Sequence, residues 1–338
     1  SIIHFPVISL YPLLPATLIS YFPNGHVCLP RDKTVQGAAR LLGVDETAVN
    51  DALELLLARE QVHAERLGGI ELLYDKKQYE NEKYIATKLL LLDRVCPAME
   101  TANIGAFIDR EQAETGVRYA DLQRRAISDA LENGVMLLTG GPGTGKTTVV
   151  RALLHIFSSM GLKIALTAPT GRAAKRLSES TSCEARTIHR LLEYGGEEGD
   201  FARTQDNPLE YDALIIDEMS MVDIFLMRSL LRALVPGTRL IMVGDADQLP
   251  SVGAGNVLRD ILDSGAIPSV RLTEIFRQDE KSMIVYNAHR INRGEAPRLN
   301  AKGSDFFFER AVSPSDAAKR IVALCASRLP SFLHLDPV

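Results

Sequence analysis

The chain has no tryptophan and few aromatic residues of any kind, 6% in all, and its four cysteines are scattered. Cys28, Cys96, Cys183 and Cys325 form no C-x-x-C pair, which argues against a zinc site or a disulfide frame and points to reduced thiols in a cytoplasmic setting. No low-complexity tract or internal repeat is present. A formal charge of −5 excludes a surface coated in basic residues, so any nucleic-acid contact must come from a local patch. The first 23 residues contain no Asp, Glu, Lys or Arg, a length that could suggest a membrane span. Pro6, Pro12 and Pro15 interrupt the run, and no basic region or cleavage site accompanies it. A buried segment packing on a neighbouring domain is the expectation there. The chain starts at Ser, which is not expected to be a native start.

What remains is the composition of a globular protein, 46% hydrophobic and 24% charged, with room in 338 residues for two or three domains. Thr34 to Leu42 reads as a helix, Gly43 as its turn and Asp45 as the cap of a second helix running to about Arg59. A hairpin turning at Gly68-Gly69 follows, so residues 31–78 read as a small winged-helix unit. Such units often read DNA. This one carries Asp45, Glu46, Asp51 and Glu54 against Arg59, which phosphates would repel, so a packing or protein-contact role is the expectation. Residues 79–108 read as a connecting helix and loop.

From Glu111 onward, apolar strands at Val135–Leu138, Ile164–Ala168, Leu214–Ile216 and Leu240–Val243 alternate with helical stretches. That pattern predicts an α/β fold with a parallel sheet and right-handed crossovers, with ligands at the carboxyl ends of the strands.

Gly140-Gly141-Pro142-Gly143-Thr144-Gly145-Lys146-Thr147 fits the phosphate-loop pattern at every position, after a strand and before a helix. Its glycines let backbone N–H groups converge on phosphate oxygens, Lys146 reaches the β- and γ-phosphates, and the Thr147 hydroxyl ligates Mg²⁺. Gly141, Pro142, Gly143, Thr144, Gly145, Lys146, Thr147 and Thr148 are therefore the expected nucleotide-binding residues. The strand Ala213–Ile216 ends in Asp217-Glu218, with Asp217 expected to hold Mg²⁺ and Glu218 to orient the attacking water. Gln248, after the strand end Gly244-Asp245, could contact the γ-phosphate. Gln123, just before the helix leading into the first of these strands, could read adenine N6 and N7 through its amide. Residues 170–190 carry five Lys/Arg against two Glu, a basic patch in an acidic chain that suits a phosphate backbone.

These motifs, in this order, resemble the superfamily 1 helicases, and most closely the RecD-like branch. Gly140–Thr147 resembles motif I, Gln123 the adenine-reading Q motif, and Ala168-Pro169-Thr170-Gly171-Arg172 motif Ia. Thr187-Ile188-His189 resembles motif Ib, Asp217-Glu218 motif II, Gly244 to Gln248 motif III and Phe276-Arg277-Gln278 motif IV.

The resemblance implies a RecA-like motor domain over 109–270 with a strand-splitting pin near 193–210. It also implies an N-terminal remnant over 1–30 and an incomplete second RecA-like domain over 271–338. Lys146, Glu218, Gln248 and Arg277 would be catalytic, Arg277 by neutralising the γ-phosphate. Pro169, Thr170, Arg172, Thr187, His189 and Arg190 would touch DNA.

The implied cofactors are ATP and Mg²⁺. The implied partners are single-stranded DNA, duplex junctions and the subunits of a nuclease complex, with no membrane. The implied activity is 5′→3′ movement on single-stranded DNA with duplex unwinding. Motifs V and VI have no counterpart after Gly294, so this chain alone is expected to bind ATP, hydrolyse it slowly and not unwind DNA. Two other readings stand beside it: a nucleotide-gated module that binds DNA or protein without motor activity, and a non-helicase P-loop ATPase such as a recombinase or clamp loader. Gln123, Thr187-Ile188-His189 and Phe276-Arg277-Gln278 speak against the last.

Overall fold

The computed structural model describes residues 26–97, 101–195, 200–274, 282–299 and 305–333. The charge-free N-terminal stretch, the tip of the expected pin and Phe276-Arg277-Gln278 lie outside them. The chain divides into two compact units, one ending at Glu274 and the next starting at Ile275.

The first unit opens with strand β1 (Cys28–Pro30), helices α1 (Arg31–Leu42) and α2 (Glu46–Ala58), and strands β2 (Val62–Leu67) and β3 (Ile70–Asp75). The strands pair antiparallel in the order β1-β3-β2. Gly43 ends α1 in the left-handed conformation, and the Asp45 carboxylate caps α2 by accepting from the Ala48 N–H at 2.9 Å. Val35, Ala38, Val49, Leu53, Leu56 and Leu73 form the small core between them.

Helix α3 (Lys76–Val95) leads away from this layer and is capped by Asp75. Its Ile85, Leu89 and Leu92 bury against a second sheet. That sheet has six strands: β4 (Val135–Gly140), β5 (Ile164–Ala168), β6 (Ala185–Thr187), β7 (Ala213–Ile216), β8 (Arg239–Gly244) and β9 (Ser269–Leu272). All pair parallel, in the order β6-β5-β7-β8-β4-β9. Helices α4 (Thr101–Thr115), α5 (Asp121–Glu132), α6 (Lys146–Ser159), α7 (Gly171–Thr181), α8 (Ile188–Leu191), α9 (Ile224–Ala233) and α10 (Val257–Ser264) connect or cover the strands.

Successive side chains of the central strands enter different cores. Val135, Leu137, Leu214, Ile216, Leu240 and Met242 pack with α3, α9 and α10. Met136, Leu138, Ala213, Ile215, Ile241 and Val243 pack with α4, α5 and α6. A strand buried on both faces reads as a continuous apolar run, which is why these segments stand out in the sequence. The expected start of the motor domain at 109 falls inside α4, and the expected boundary at 270 falls inside β9. The second unit holds α11 (Met283–Asn292) and α12 (Pro314–Ala323). Asp305 accepts from the Met283 N–H at 2.7 Å at the start of α11, and the Ser313 hydroxyl caps α12. No helix among the described residues is long and apolar enough to cross a membrane.

Candidate functional site

The order β7-β8-β4 sets three chain segments side by side at one end of the sheet, where the strands finish. Ile216 is in register with Met242, and Thr139 with Gly244. Parallel strands place all their carboxyl ends together, so Asp217-Glu218, Asp245 and the phosphate loop emerge next to one another.

The loop between β4 and α6 has Gly143 and Gly145 at positive φ, 75° and 84°, a region that side chains disfavour. Gly140 is close-packed: a Cβ there would meet the Thr144 hydroxyl at 2.7 Å and the Leu272 carbonyl at 2.9 Å. Thr144 is buried and donates to the Gly141 carbonyl at 2.9 Å, closing the turn. The Lys146 ammonium donates to the Gly140 and Gly141 carbonyls at 2.5 and 3.1 Å. Burial pulls its pKa down, and the charges of Asp245, Asp217 and Glu218 oppose that shift.

Asp217 and Glu218 are both half-buried, and burial pushes both carboxyls up. Asp217 adds to the rise at Glu218. The Glu218 backbone has φ 57° and ψ 43°, left-handed for a residue with a side chain, a strain of roughly 1–3 kcal/mol held at the strand end. Its N–H donates to Asp217 Oδ1 at 2.9 Å. Asp245 is buried and accepts from the Asp247 N–H at 3.0 Å. The Gln248 side chain accepts from the Ser220 hydroxyl at 3.4 Å, so the loop after β8 touches the turn that follows Glu218. Three carboxylates crowd the Lys146 ammonium, a site short of positive charge. Its oxygen donors, the Thr147 hydroxyl and Asp217, suit a hard divalent cation, so the residues present fit Mg²⁺.

Gln123 is the third residue of α5, inside the helix and not ahead of it, and only 3% exposed. Its Oε1 accepts from the Ala120 N–H at 3.1 Å, which fixes the sense of the amide. The Thr148 N–H donates to the Gly145 carbonyl of the phosphate loop at 3.0 Å, and Thr148 also lines, with Arg151 and His155, a cavity of about 300 Å³.

The expected DNA contacts cluster at the same carboxyl end of the sheet, beside β5 and β6. Ala168 pairs with Thr187, so Pro169-Thr170 and Ile188-His189 leave the sheet side by side. Thr170 Oγ1 caps α7 by accepting from the Ala173 N–H at 3.3 Å, and Thr187 Oγ1 caps α8 by accepting from the Arg190 N–H at 3.1 Å. Each hydroxyl still has its own proton to donate. Arg172 and Arg190 are exposed and form no ion pair among the described residues. Arg186 is held by Glu184 at 2.8 Å and Lys175 lies 3.9 Å from Glu179, so part of the patch is neutralised.

His189 packs its ring against Tyr194 and Phe201, with centroids 5.4 and 5.6 Å away. Tyr194 and Phe201 also form an antiparallel bridge, and Arg203 pairs with Glu193 at 2.7 Å, so the described ends of this insertion run as a short hairpin. The spacing of these residues gives no hint that His189 joins their cluster.

A family model described as an AAA domain matches residues 123–254. The ATP-dependent RecD2 DNA helicase of Deinococcus radiodurans is 34% identical over 313 residues, which cover 89% of this chain and 42% of that protein. The RecBCD enzyme subunit RecD of Mycobacterium tuberculosis is 42% identical over 221 residues, covering 58% of this chain and 36% of that one. Among solved structures, the Pif1 helicase from Candida albicans matches 54% of this chain and 45% of its own, with a TM-score of 0.43 and 25% identity. The chain thus spans less than half the length of either curated relative. Sheet order, phosphate loop and strand-end carboxylates define a P-loop NTPase. Within that class, the chain belongs to the RecD-like family of superfamily 1 helicases.

Proposed function

We propose that this chain is the motor portion of an ATP-driven DNA helicase that moves 5′→3′ on single-stranded DNA and separates duplexes in recombination or repair. The observation that carries this reading is the shared carboxyl end of the sheet. The residues suited to hydrolysis leave β4, β7 and β8, and the basic segment leaves β5 and β6, at the same end of one parallel sheet. In this reading the phosphate loop and Lys146 hold the β- and γ-phosphates, Thr147 and Asp217 hold Mg²⁺, and Gln123 reads adenine. The metal supplies charge neutralisation at the phosphates. Glu218 orients and deprotonates the attacking water. Gln248, on the loop after β8 and bonded to Ser220, contacts the γ-phosphate. Pro169, Thr170, Arg172, Thr187, His189 and Arg190 contact the DNA backbone, and Arg277 neutralises the γ-phosphate.

The domain layout of the same proposal is a winged-helix unit over 31–78, a motor domain over 109–270 with a pin over 193–210, and part of a second motor domain over 271–338. Localisation is cytoplasmic. The name of the Mycobacterium relative, a RecBCD enzyme subunit, makes nuclease-complex subunits the natural protein partners. For the 338 residues alone the proposal is nucleotide binding with slow turnover and no unwinding.

The test is steady-state ATP turnover by the chain extended to the full length of its relatives, with and without single-stranded DNA. Stimulation of about tenfold or more supports a DNA-coupled motor. Turnover indifferent to DNA overturns it in favour of a nucleotide-gated binding module.

A further inference from the structure

Gln123 has to be aimed before it can read a base. Its Oε1 is turned toward Ala120, which leaves the second lone pair of that oxygen and the amide NH₂ for a ligand. Ala120 ends an irregular stretch, Gly116 to Ala120, between α4 and α5. That stretch is tied down on α4. The Tyr119 N–H donates to Gln112 Oε1 at 3.0 Å, and the Tyr119 hydroxyl donates to Glu111 Oε1 at 3.2 Å. Thr115 closes the same corner, accepting from the Val117 N–H at 3.3 Å and donating to the Glu111 carbonyl at 2.7 Å.

Glu111 is 4% exposed, and a carboxylate so buried needs partners for both oxygens. The second, Oε2, meets His155 Nδ1. His155 lies on α6, the helix that begins at Lys146. Its other nitrogen faces Glu114 Oε2 at 3.7 Å. Arg151 of α6 lines the same cavity, so the groups facing the ring are two carboxylates of α4 and one guanidinium of its own helix. The Glu111 contact raises the His155 pKa, which favours the imidazolium between the two carboxylates. Burial and the Glu111 charge push the Tyr119 hydroxyl up to about 12, so it stays a donor at any working pH.

We infer that His155, Glu111 and Tyr119 form a bridge from the phosphate-loop helix to Gln123 that sets the base-reading amide at a fixed place relative to the phosphate cradle. They are positioning residues for nucleotide selectivity and touch no part of the nucleotide. The inference rests on the adenine-reading role proposed for Gln123. Without the Tyr119 tether, residues 117–120 lose their hold on α4, Gln123 loses its orientation, and ATP loses its advantage over GTP. Phosphate binding, which the loop provides alone, is unchanged.

The test is equilibrium binding of fluorescent ATP and GTP analogues to this chain, reading the ratio of the two affinities, with thermal melting as a check on folding. Tyr119→Phe removes only the hydroxyl. It is expected to lower the ATP preference by about three- to tenfold, the worth of one such hydrogen bond, while GTP affinity stays within about twofold. Glu111→Gln keeps an acceptor for Tyr119 but removes the charge that His155 faces. It is expected to retain a preference between wild type and Tyr119→Phe, and it carries the test should the phenylalanine variant not fold. Gln123→Ala sets the floor. A wild-type ratio in both Tyr119→Phe and Glu111→Gln, beside a collapsed ratio in Gln123→Ala, overturns the bridge and leaves the adenine reading standing. A wild-type ratio in Gln123→Ala overturns the adenine reading and the bridge with it.

Discussion

Glu218 is the residue on which the hydrolytic reading depends, because a protein that only binds nucleotide has no use for a second carboxylate beside Asp217. Its left-handed backbone turns the chain directly after β7, and its carboxyl stands among Asp217, Asp245 and Lys146. Glu218→Gln keeps the shape and loses the base. In the full-length protein it is expected to bind MgATP as wild type does and to turn it over roughly 10²–10⁴-fold more slowly, measured by nucleotide titration and by phosphate release. Near-normal turnover would remove Glu218 from the base role. The residues of this site are legible because phosphate binding demands a particular backbone: glycines where φ is positive, a lysine at the helix start, carboxylates at strand ends. The Glu111–His155 contact is not legible. It joins positions 44 residues apart on two helices whose patterns say only that each is amphipathic, and nothing local marks a carboxylate that will be buried.

At the scale of elements, the edge formed by β5, β6, α7 and α8 makes a quantitative prediction. Arg172 and Arg190 are exposed and outside any ion pair among the described residues, whereas Glu184 holds Arg186. Arg172→Ala and Arg190→Ala should each weaken single-stranded DNA binding and lower the slope of log affinity against log salt by about one contact, read from titrations at several salt concentrations. Arg186→Ala should change both less. Unchanged slopes in the first two would make this edge a solvated surface. A second element-level prediction concerns the crossing of α3 over the start of β4. A Cβ at Gly134 would lie 2.5 Å from Cys96 Cβ and 2.6 and 2.8 Å from the Leu92 and Asp93 carbonyls. Two of those three neighbours are backbone, so the strain has little outlet. Gly134→Ala should destabilise the chain by about 1–3 kcal/mol, seen as a lower melting temperature. The four central strands are legible as apolar runs because both their faces are buried. β6 and β9 are not, since Ala-Arg-Thr and Ser-Val-Arg-Leu sit at the sheet edges, where solvent admits polar side chains and pairing with one neighbour makes the strand.

For the molecule as a whole, the N-terminal three-stranded layer and the parallel sheet meet at α3, and a half-buried carboxyl there couples stability to pH. Glu82 on α3 is half-buried, and burial pushes its carboxyl up to about 7, with the charges of Asp260 on α10 and Glu65 on β2 adding to the rise. Burial also raises Asp260. A carboxyl whose pKa is higher in the folded than in the unfolded chain binds more protons when folded across the interval between the two values. Folding is therefore favoured below the ordinary value of 4.5 and loses that contribution as pH rises toward 7. With solvent screening of a group that is only half-buried, the loss is on the order of 1–2 kcal/mol between about pH 5 and pH 8. Glu82→Gln keeps the shape of the side chain and cannot ionise. Urea unfolding at both pH values should show wild type losing stability toward pH 8, while the variant loses less and is the more stable protein there. An equal loss in both proteins would place the titrating group elsewhere. This seam is electrostatically distinct from the nucleotide site, because the charges that raise Glu82 are those of Asp260 and Glu65 and not those of Lys146, Asp217 or Glu218.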